Sequence, residues 1–216
     1  MSGRVHRKSA FGPWAPHRLT WWVGVLFAIG SLCFFVGPFP GFVNLVGSSA
    51  DGVVFFVGSL FFTSAALLQL LGSERSTADW WASLIQLVGT VYFNVDTFRA
   101  MQQSFDTADV NRVVWRPEAI GSICFLISGV IAYRAVRHLC ETRDYRIAVV
   151  NLAGCVLFGI STVGGYVLPS TGDALNLLAA NAGTALGALC FLIGALMLLP
   201  EVSPAASPSP PQTPRP

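Results

Sequence analysis

Charge is scarce in this chain of 216 residues. Asp, Glu, Lys and Arg make up 11% of it, whereas hydrophobic residues make up 53%. Soluble domains carry about 25% charged residues, so this composition excludes an ordinary soluble domain. Lysine is nearly absent, since Lys8 is the only lysine, and this arginine bias is typical of a GC-rich bacterial genome. The net charge of +2 is too small to predict a nucleic acid partner.

Catalytic and metal-binding patterns are missing as well. None of the 3 histidines lies in an apolar run, which leaves intramembrane haem ligation unsupported. The 5 cysteines form no C-x-x-C pair, and their odd number argues against a disulfide framework or a zinc site. No H-E-x-x-H, G-x-S-x-G or phosphate-binding glycine loop is present. We therefore predict no enzymatic activity and no cofactor or metal.

The most informative feature of the sequence is a short motif that recurs six times, 28 to 33 residues apart: Gly, small residue, aliphatic residue, variable residue, Phe. Each copy lies in its own apolar run, and a period of this size fits one helix and one connection. Glycine and phenylalanine at i and i+4 share one helix face. Because helices in lipid associate through close packing, we predict that the glycines are packing notches. They are Gly30, Gly58, Gly89, Gly121, Gly154 and Gly187.

The apolar runs predict an all-α bundle of six transmembrane helices, at 20–36, 52–71, 80–98, 117–136, 147–168 and 174–199. We divide the chain into a basic N-terminal segment (1–19), a transmembrane hairpin (20–71), four further helices (72–199) and a Pro-rich tail (200–216). The tail has no apolar periodicity, which predicts disorder. No A-x-A-like cleavage site follows the first run, so it is predicted to remain as a helix.

The basic residues predict the orientation. Ten lie on the side of the N-terminus: Arg4, Arg7, Lys8, Arg18, Arg75, Arg134, Arg137, Arg143, Arg146 and Arg215. Three lie on the other side: Arg99, Arg112 and Arg116. The positive-inside rule then places both termini in the cytoplasm. The sequence therefore predicts a multi-pass protein of the bacterial inner (cytoplasmic) membrane.

The first two predicted helices resemble a known family. The segment 22–71, with the stretches AIGSL at 28–32 and FFVGSLFF at 55–62, resembles the YrhK-like membrane domain, a two-helix module without an assigned activity. Later stretches, including QLVGTVYFNV at 86–95 and NAGTALGALCF at 181–191, look like uncharacterised actinobacterial membrane proteins that carry this domain. The resemblance covers roughly residues 20–200. It supports the membrane fold and implies no site residues.

Polar side chains at membrane depth are costly and suggest a function. The sequence predicts a polar vestibule near the outer leaflet, formed by Gln86, Thr90, Asn94, Asp96, Glu118, Asn176, Asn181 and Thr184. Asn94 and Asn181 are expected to face the bundle interior, with Glu118 close by. The alternative is that these groups only hydrogen-bond between helices.

Two function classes stay open. The first is a non-enzymatic membrane protein with a packing, scaffolding or sensing role, and the second is a small channel or transporter that uses the vestibule. The lipid bilayer is the expected partner, whereas protein partners and oligomeric state are not predicted. Four arginines of one loop are expected to bind anionic lipid headgroups at the cytoplasmic surface: Arg134, Arg137, Arg143 and Arg146.

Overall fold

The computed structural model describes residues 14–102 and 107–199, and the predicted tail at 200–216 and most of the N-terminal segment lie outside them. The helices are α1 (Leu19–Val36), α2 (Pro40–Val46), α3 (Ser48–Gly72), α4 (Ala78–Ala100), α5 (Thr107–Val110), a π-helical turn (Asn111–Trp115), α6 (Arg116–Val136), α7 (Arg143–Gly164) and α8 (Leu177–Leu198). An isolated antiparallel bridge joins Val167 and Ala174. The described part of the chain is thus all-helical, in agreement with the predicted fold class.

Five helices are long and apolar enough to cross a membrane: α1, α3, α6 with its preceding π-helical turn, α7 and α8. The third predicted span corresponds to α4, which is 23 residues long but is not among these five. Its polar residues, among them Gln86, Asn94 and Asp96, interrupt the apolar sequence. The structure supports five candidate spans where the sequence predicted six.

Several predicted boundaries are wrong. The segment before the second span contains the helix α2, and α3 begins at Ser48 rather than at residue 52. The helical structure before Pro117 starts at Thr107 and passes through the π-helical turn. Pro117 has no N–H to donate, so the regular hydrogen bonding of the helix is broken there. The wider π-helical turn lies just before this residue. The fifth predicted span, 147–168, corresponds to α7, which ends earlier, at Gly164. The sixth predicted span, 174–199, corresponds to α8, which begins at Leu177 with Asn176 as its N-cap.

The six long helices form a closed ring of three antiparallel hairpins. The hairpins are α1–α3, α4–α6 and α7–α8, and the ring closes through α3–α4, α6–α7 and α8–α1. Each hairpin contains two copies of the glycine–phenylalanine motif, one on each helix. The six copies of the motif, one per long helix, are therefore arranged in the structure as three similar two-helix hairpins.

Paired glycines bring the two helices of each hairpin together. A Cβ added to Gly30, Gly89 or Gly154 would lie 2.9, 3.0 or 3.1 Å from the carbonyl oxygen of Gly58, Gly121 or Gly187, respectively. Cysteine fills the adjacent space, since Cβ of Cys33 would lie 2.7 Å from a Cβ on Gly58. All six motif glycines thus lie at helix–helix contacts where a larger residue meets backbone or a packed side chain.

The six motif phenylalanines meet in the centre of the ring. They are Phe34, Phe62, Phe93, Phe125, Phe158 and Phe191, one from each long helix, and each is 3% to 6% exposed. Eight pairs of these rings have centroids 5.0 to 6.4 Å apart. Such aromatic pairs contribute about 0.5–1.5 kcal/mol each beyond the area that they bury. We call this cluster the phenylalanine core; it fills the bundle at mid-height.

Candidate functional site

A cavity of about 700 Å³ lies inside the ring, on the side where α1, α4 and α7 begin. We call it the axial cavity. It ends at the phenylalanine core, where Phe27, Phe125, Phe191 and Cys155 line it. Its polar lining consists of Arg18, Thr20, Gln69, Ser73, Asp79, Gln86, Ser128, Asp144 and Asn151. Small-molecule sites in proteins have this size and this mixture of apolar walls and few polar groups.

The threefold repeat places corresponding residues around the axial cavity. The first helices of the three hairpins, α1, α4 and α7, carry Phe27, Gln86 and Asn151, respectively, three residues before the motif glycine. Ten residues before that glycine, the same three helices carry Thr20, Asp79 and Asp144, respectively. The cavity therefore has a deep level with two amides and one phenyl ring, and an outer level with two carboxylates and one hydroxyl.

The two deep amides have unused hydrogen-bonding groups. Gln86 and Asn151 are half-buried, and neither side chain hydrogen-bonds to a described residue. Asn151 packs directly on Gly194, where an added Cβ would meet its amide group. The hydroxyl of Ser128, by contrast, donates to the carbonyl oxygen of Ala82 at 2.8 Å. The two amides are thus the deep polar groups that remain available for a ligand.

The predicted outer vestibule is divided among several helix contacts. Asn94 lies between α4 and α3, where in the amide orientation that satisfies both of its ends it donates to the hydroxyl of Ser59 at 2.8 Å. In that orientation its oxygen accepts from the hydroxyl of Thr63 at 2.9 Å. The hydroxyls of Ser59 and Thr97 are 3.1 Å apart and link the same two helices. Asn94 is therefore satisfied by α3 and does not contact Asn181.

Glu118 belongs to a second polar group, between α6 and α7. One of its carboxylate oxygens accepts from the hydroxyl of Thr162 at 3.1 Å, and that hydroxyl is 2.7 Å from the hydroxyl of Ser122. Asp96 of α4 lies within electrostatic reach of Glu118. Asp96 is only 6% exposed and makes no hydrogen bond to a described residue. Of the eight predicted residues, the structure brings these two carboxylates together.

The other predicted residues lie elsewhere. Thr184 of α8 is 2.6 Å from the hydroxyl of Ser161 of α7, which again joins two helices. Thr90 is fully buried and donates to the carbonyl oxygen of Leu87 in its own helix. Asn181 is half-buried and has no hydrogen bond to a described residue. Asn176 is exposed and accepts from the backbone N–H of Ala179, so it caps α8.

The arginines of the predicted lipid-binding loop lie at the open end of the axial cavity, around the end of α6 and the start of α7. Arg134, Arg137 and Arg146 are exposed. Arg143 donates to the carbonyl oxygen of Leu199 at 2.6 Å, just after the end of α8. Three of the four arginines are thus exposed at this surface, and one holds the end of a neighbouring helix.

The sequence analysis missed the axial cavity and the role of Asn151 in it. The signal was present in the repeat: aligned on the motif glycines, Gln86 and Asn151 occupy the same position in two hairpins. It also missed Asn111, whose amide donates to the carbonyl oxygen of Val167 at 2.6 Å and accepts from the N–H of Val167 at 3.0 Å. That pair attaches the connection before α8 to the π-helical turn.

Comparison with known proteins identifies no relative: no family model matches the chain, and neither a curated protein nor a solved structure shows significant similarity to it.

Proposed function

We propose that this chain is a non-enzymatic integral membrane protein that binds a small molecule in the axial cavity and acts as a sensor of that molecule. The cavity of about 700 Å³, which opens at one end of the bundle and ends at the phenylalanine core, is the observation that carries this proposal. Its polar groups are few and its walls are apolar, as in small-molecule binding sites.

A sensing role fits the geometry better than a channel or transporter. Buried aromatic rings from all six long helices fill the centre of the bundle. The polar groups on the far side of that core, such as Asn94, Glu118 and Thr184, bond across helix contacts. Interhelical hydrogen bonds of this kind stabilise membrane bundles by roughly 0.6 kcal/mol each. These observations favour the hydrogen-bonding alternative over a vestibule.

We further propose that α4 is a sixth span and that both termini are cytoplasmic. α4 packs between α3 and α6 in the ring, so its polar residues have neighbouring helices to face. Ten of the 13 basic residues lie on the side of the N-terminus, which favours a cytoplasmic location for that side. The axial cavity then opens to the cytoplasm of a bacterial cell, and the exposed arginines around it meet anionic headgroups.

The resemblance to the YrhK-like domain supports a repeated building unit. We infer that the two-helix module at 22–71 is the unit from which all three hairpins derive. The paired glycines and the central phenylalanines, which are common to the three hairpins, support this inference.

The binding proposal is tested by extraction of the purified protein. Protein purified in mild detergent is denatured, and the released small molecules are quantified by mass spectrometry. Ala132 lines the axial cavity, and Ala132→Trp fills part of it. Ile127 lies on the same helix and is 46% exposed, so Ile127→Trp is the matched control. We expect a compound that co-purifies with the parent and the control and is depleted in Ala132→Trp. Equal amounts in all three proteins would contradict the proposal.

A further inference from the structure

The chemistry of the axial cavity defines a class of ligand, an inference that rests on the function proposed above. The deep level carries two side-chain amides and no charged side chain. An amide both donates and accepts hydrogen bonds. A charged ligand group placed there would lack a counter-charge, and burying an unpaired charge is costly. The deep level therefore suits a neutral group such as a hydroxyl or a carbonyl.

The surroundings of the two amides are apolar. Phe27 occupies the third corresponding position, and Phe125 and Phe191 of the phenylalanine core lie below. These rings offer flat faces and edges to an apolar or aromatic body. The polar contact is thus confined to the side formed by α4 and α7.

The two amides lie well below the mouth of the axial cavity. Asp79 and Asp144 at the mouth are exposed, and each precedes its amide, Gln86 or Asn151, by seven residues in the same helix. At 1.5 Å per residue, the amides lie about 10 Å inside the cavity. A ligand group at this level is therefore separated from the carboxylates at the mouth by about two helical turns.

We infer that the axial cavity binds a neutral amphiphile whose hydroxyl or carbonyl group hydrogen-bonds to Gln86 and Asn151 and whose apolar body contacts Phe27, Phe125 and Phe191. The carboxylates at the mouth stay hydrated and contribute to access rather than to recognition of the deep group.

Two photoreactive probes test the class of ligand. One is an aryl diazirine with a hydroxymethyl group, and the other is the same diazirine with a methyl group in its place. The full-length protein is irradiated in lipid nanodiscs over a range of probe concentrations, and mass spectrometry quantifies labelling of peptides that line the cavity. We expect half-maximal labelling by the alcohol at about tenfold lower concentration, because one or two net hydrogen bonds correspond to about that factor.

The matched variants are Gln86→Leu and Asn181→Leu, each of which replaces a half-buried amide that has no hydrogen bond to a described residue. Only Gln86 lines the axial cavity. Gln86→Leu should remove the advantage of the alcohol and leave labelling by the methyl probe unchanged, whereas Asn181→Leu should change neither. Asn151→Leu repeats the test if Gln86→Leu does not fold.

The outcomes separate this inference from the proposed function. Equal labelling by both probes in the parent protein, or an equal loss of both in Gln86→Leu, would overturn the neutral hydrogen-bonding ligand and leave the binding cavity in place. If Ala132→Trp leaves cavity labelling by both probes unchanged, the proposed function itself is wrong, and the inference falls with it.

Discussion

The glycines of the repeated motif determine how close two helices approach. A Cβ on Gly89 would lie 2.8 Å from a ring carbon of Phe125, 2.9 Å from Cβ of Cys124 and 3.0 Å from the carbonyl oxygen of Gly121. Two of these neighbours are backbone or Cβ atoms, which cannot move without moving a helix. The close approach of α4 and α6 therefore requires a residue without a Cβ at position 89.

Gly89→Ala should destabilise the bundle by about 1–3 kcal/mol, the usual cost of overpacking a filled interior. Gly159→Ala is the control, because a Cβ there meets only Leu126, at an ordinary contact distance of 3.4 Å. Thermal unfolding in detergent should show a lower Tm for Gly89→Ala and a parental Tm for the control. A parental Tm for both would refute the packing role.

Asp96 and Glu118 lie near one another, and no cation of the described chain pairs with either. Asp96 is 6% exposed and lies within electrostatic reach of Glu118. Like charges repel more strongly where water is excluded. We therefore expect Asp96→Asn to raise the Tm, because the amide has a similar shape and removes one of the two repelling groups.

Glu118→Gln, which keeps an oxygen acceptor for Thr162, should have a similar effect, and the double variant should add little. Interaction energies between neighbouring groups are measured in this way. A lower Tm in Asp96→Asn, or full additivity of the two gains, would contradict the predicted repulsion.

The side chain of Asn111 attaches the connection between α7 and α8 to the π-helical turn. The amide of Asn111 bonds to both the N–H and the carbonyl oxygen of Val167. The nearby Trp115 donates from its indole N–H to the carbonyl oxygen of Thr162 at 2.8 Å. The π-helical turn thus positions residues that attach the end of α7 and the following connection.

Asn111→Ala should leave the backbone groups of Val167 without their partners. A half-buried unsatisfied group costs about 1–3 kcal/mol. Hydrogen–deuterium exchange should become faster in residues 165–176 while the centre of α7 keeps its protection. Asn111→Asp retains the acceptor for the N–H of Val167 and should show an intermediate effect. Unchanged exchange in Asn111→Ala would show that other contacts hold the connection.

The helices and their glycine contacts follow from local sequence, because Gly and Phe at i and i+4 define a face without reference to the rest of the chain. The directions of the polar side chains of α4 do not follow from local sequence. Gln86 and Asn94 are eight residues apart, and an α-helix turns about 100° per residue. Their directions differ by about 80°. Gln86 therefore faces the axis and Asn94 faces α3, a distinction that depends on where the neighbouring helices lie.

The whole molecule combines these features into a ring of three hairpins, closed at mid-height and open at one end. The central phenylalanines come from six distant segments, so their meeting depends on the order of helices in the ring. The same closure creates the axial cavity, because residues on the open side of the core are smaller, such as Ala82, Ala132 and Gly129. Gln86 should therefore be reached from one face of the membrane only.

Site-directed labelling of Gln86→Cys tests whether one face alone gives access to this position. The variant is made in a protein whose 5 native cysteines are replaced by alanine, and a charged, membrane-impermeant thiol reagent is applied to inside-out vesicles and to intact cells. We expect labelling in inside-out vesicles and none in intact cells, because the phenylalanine core separates the cavity from the outer surface. Labelling from both faces, or from neither, would contradict it.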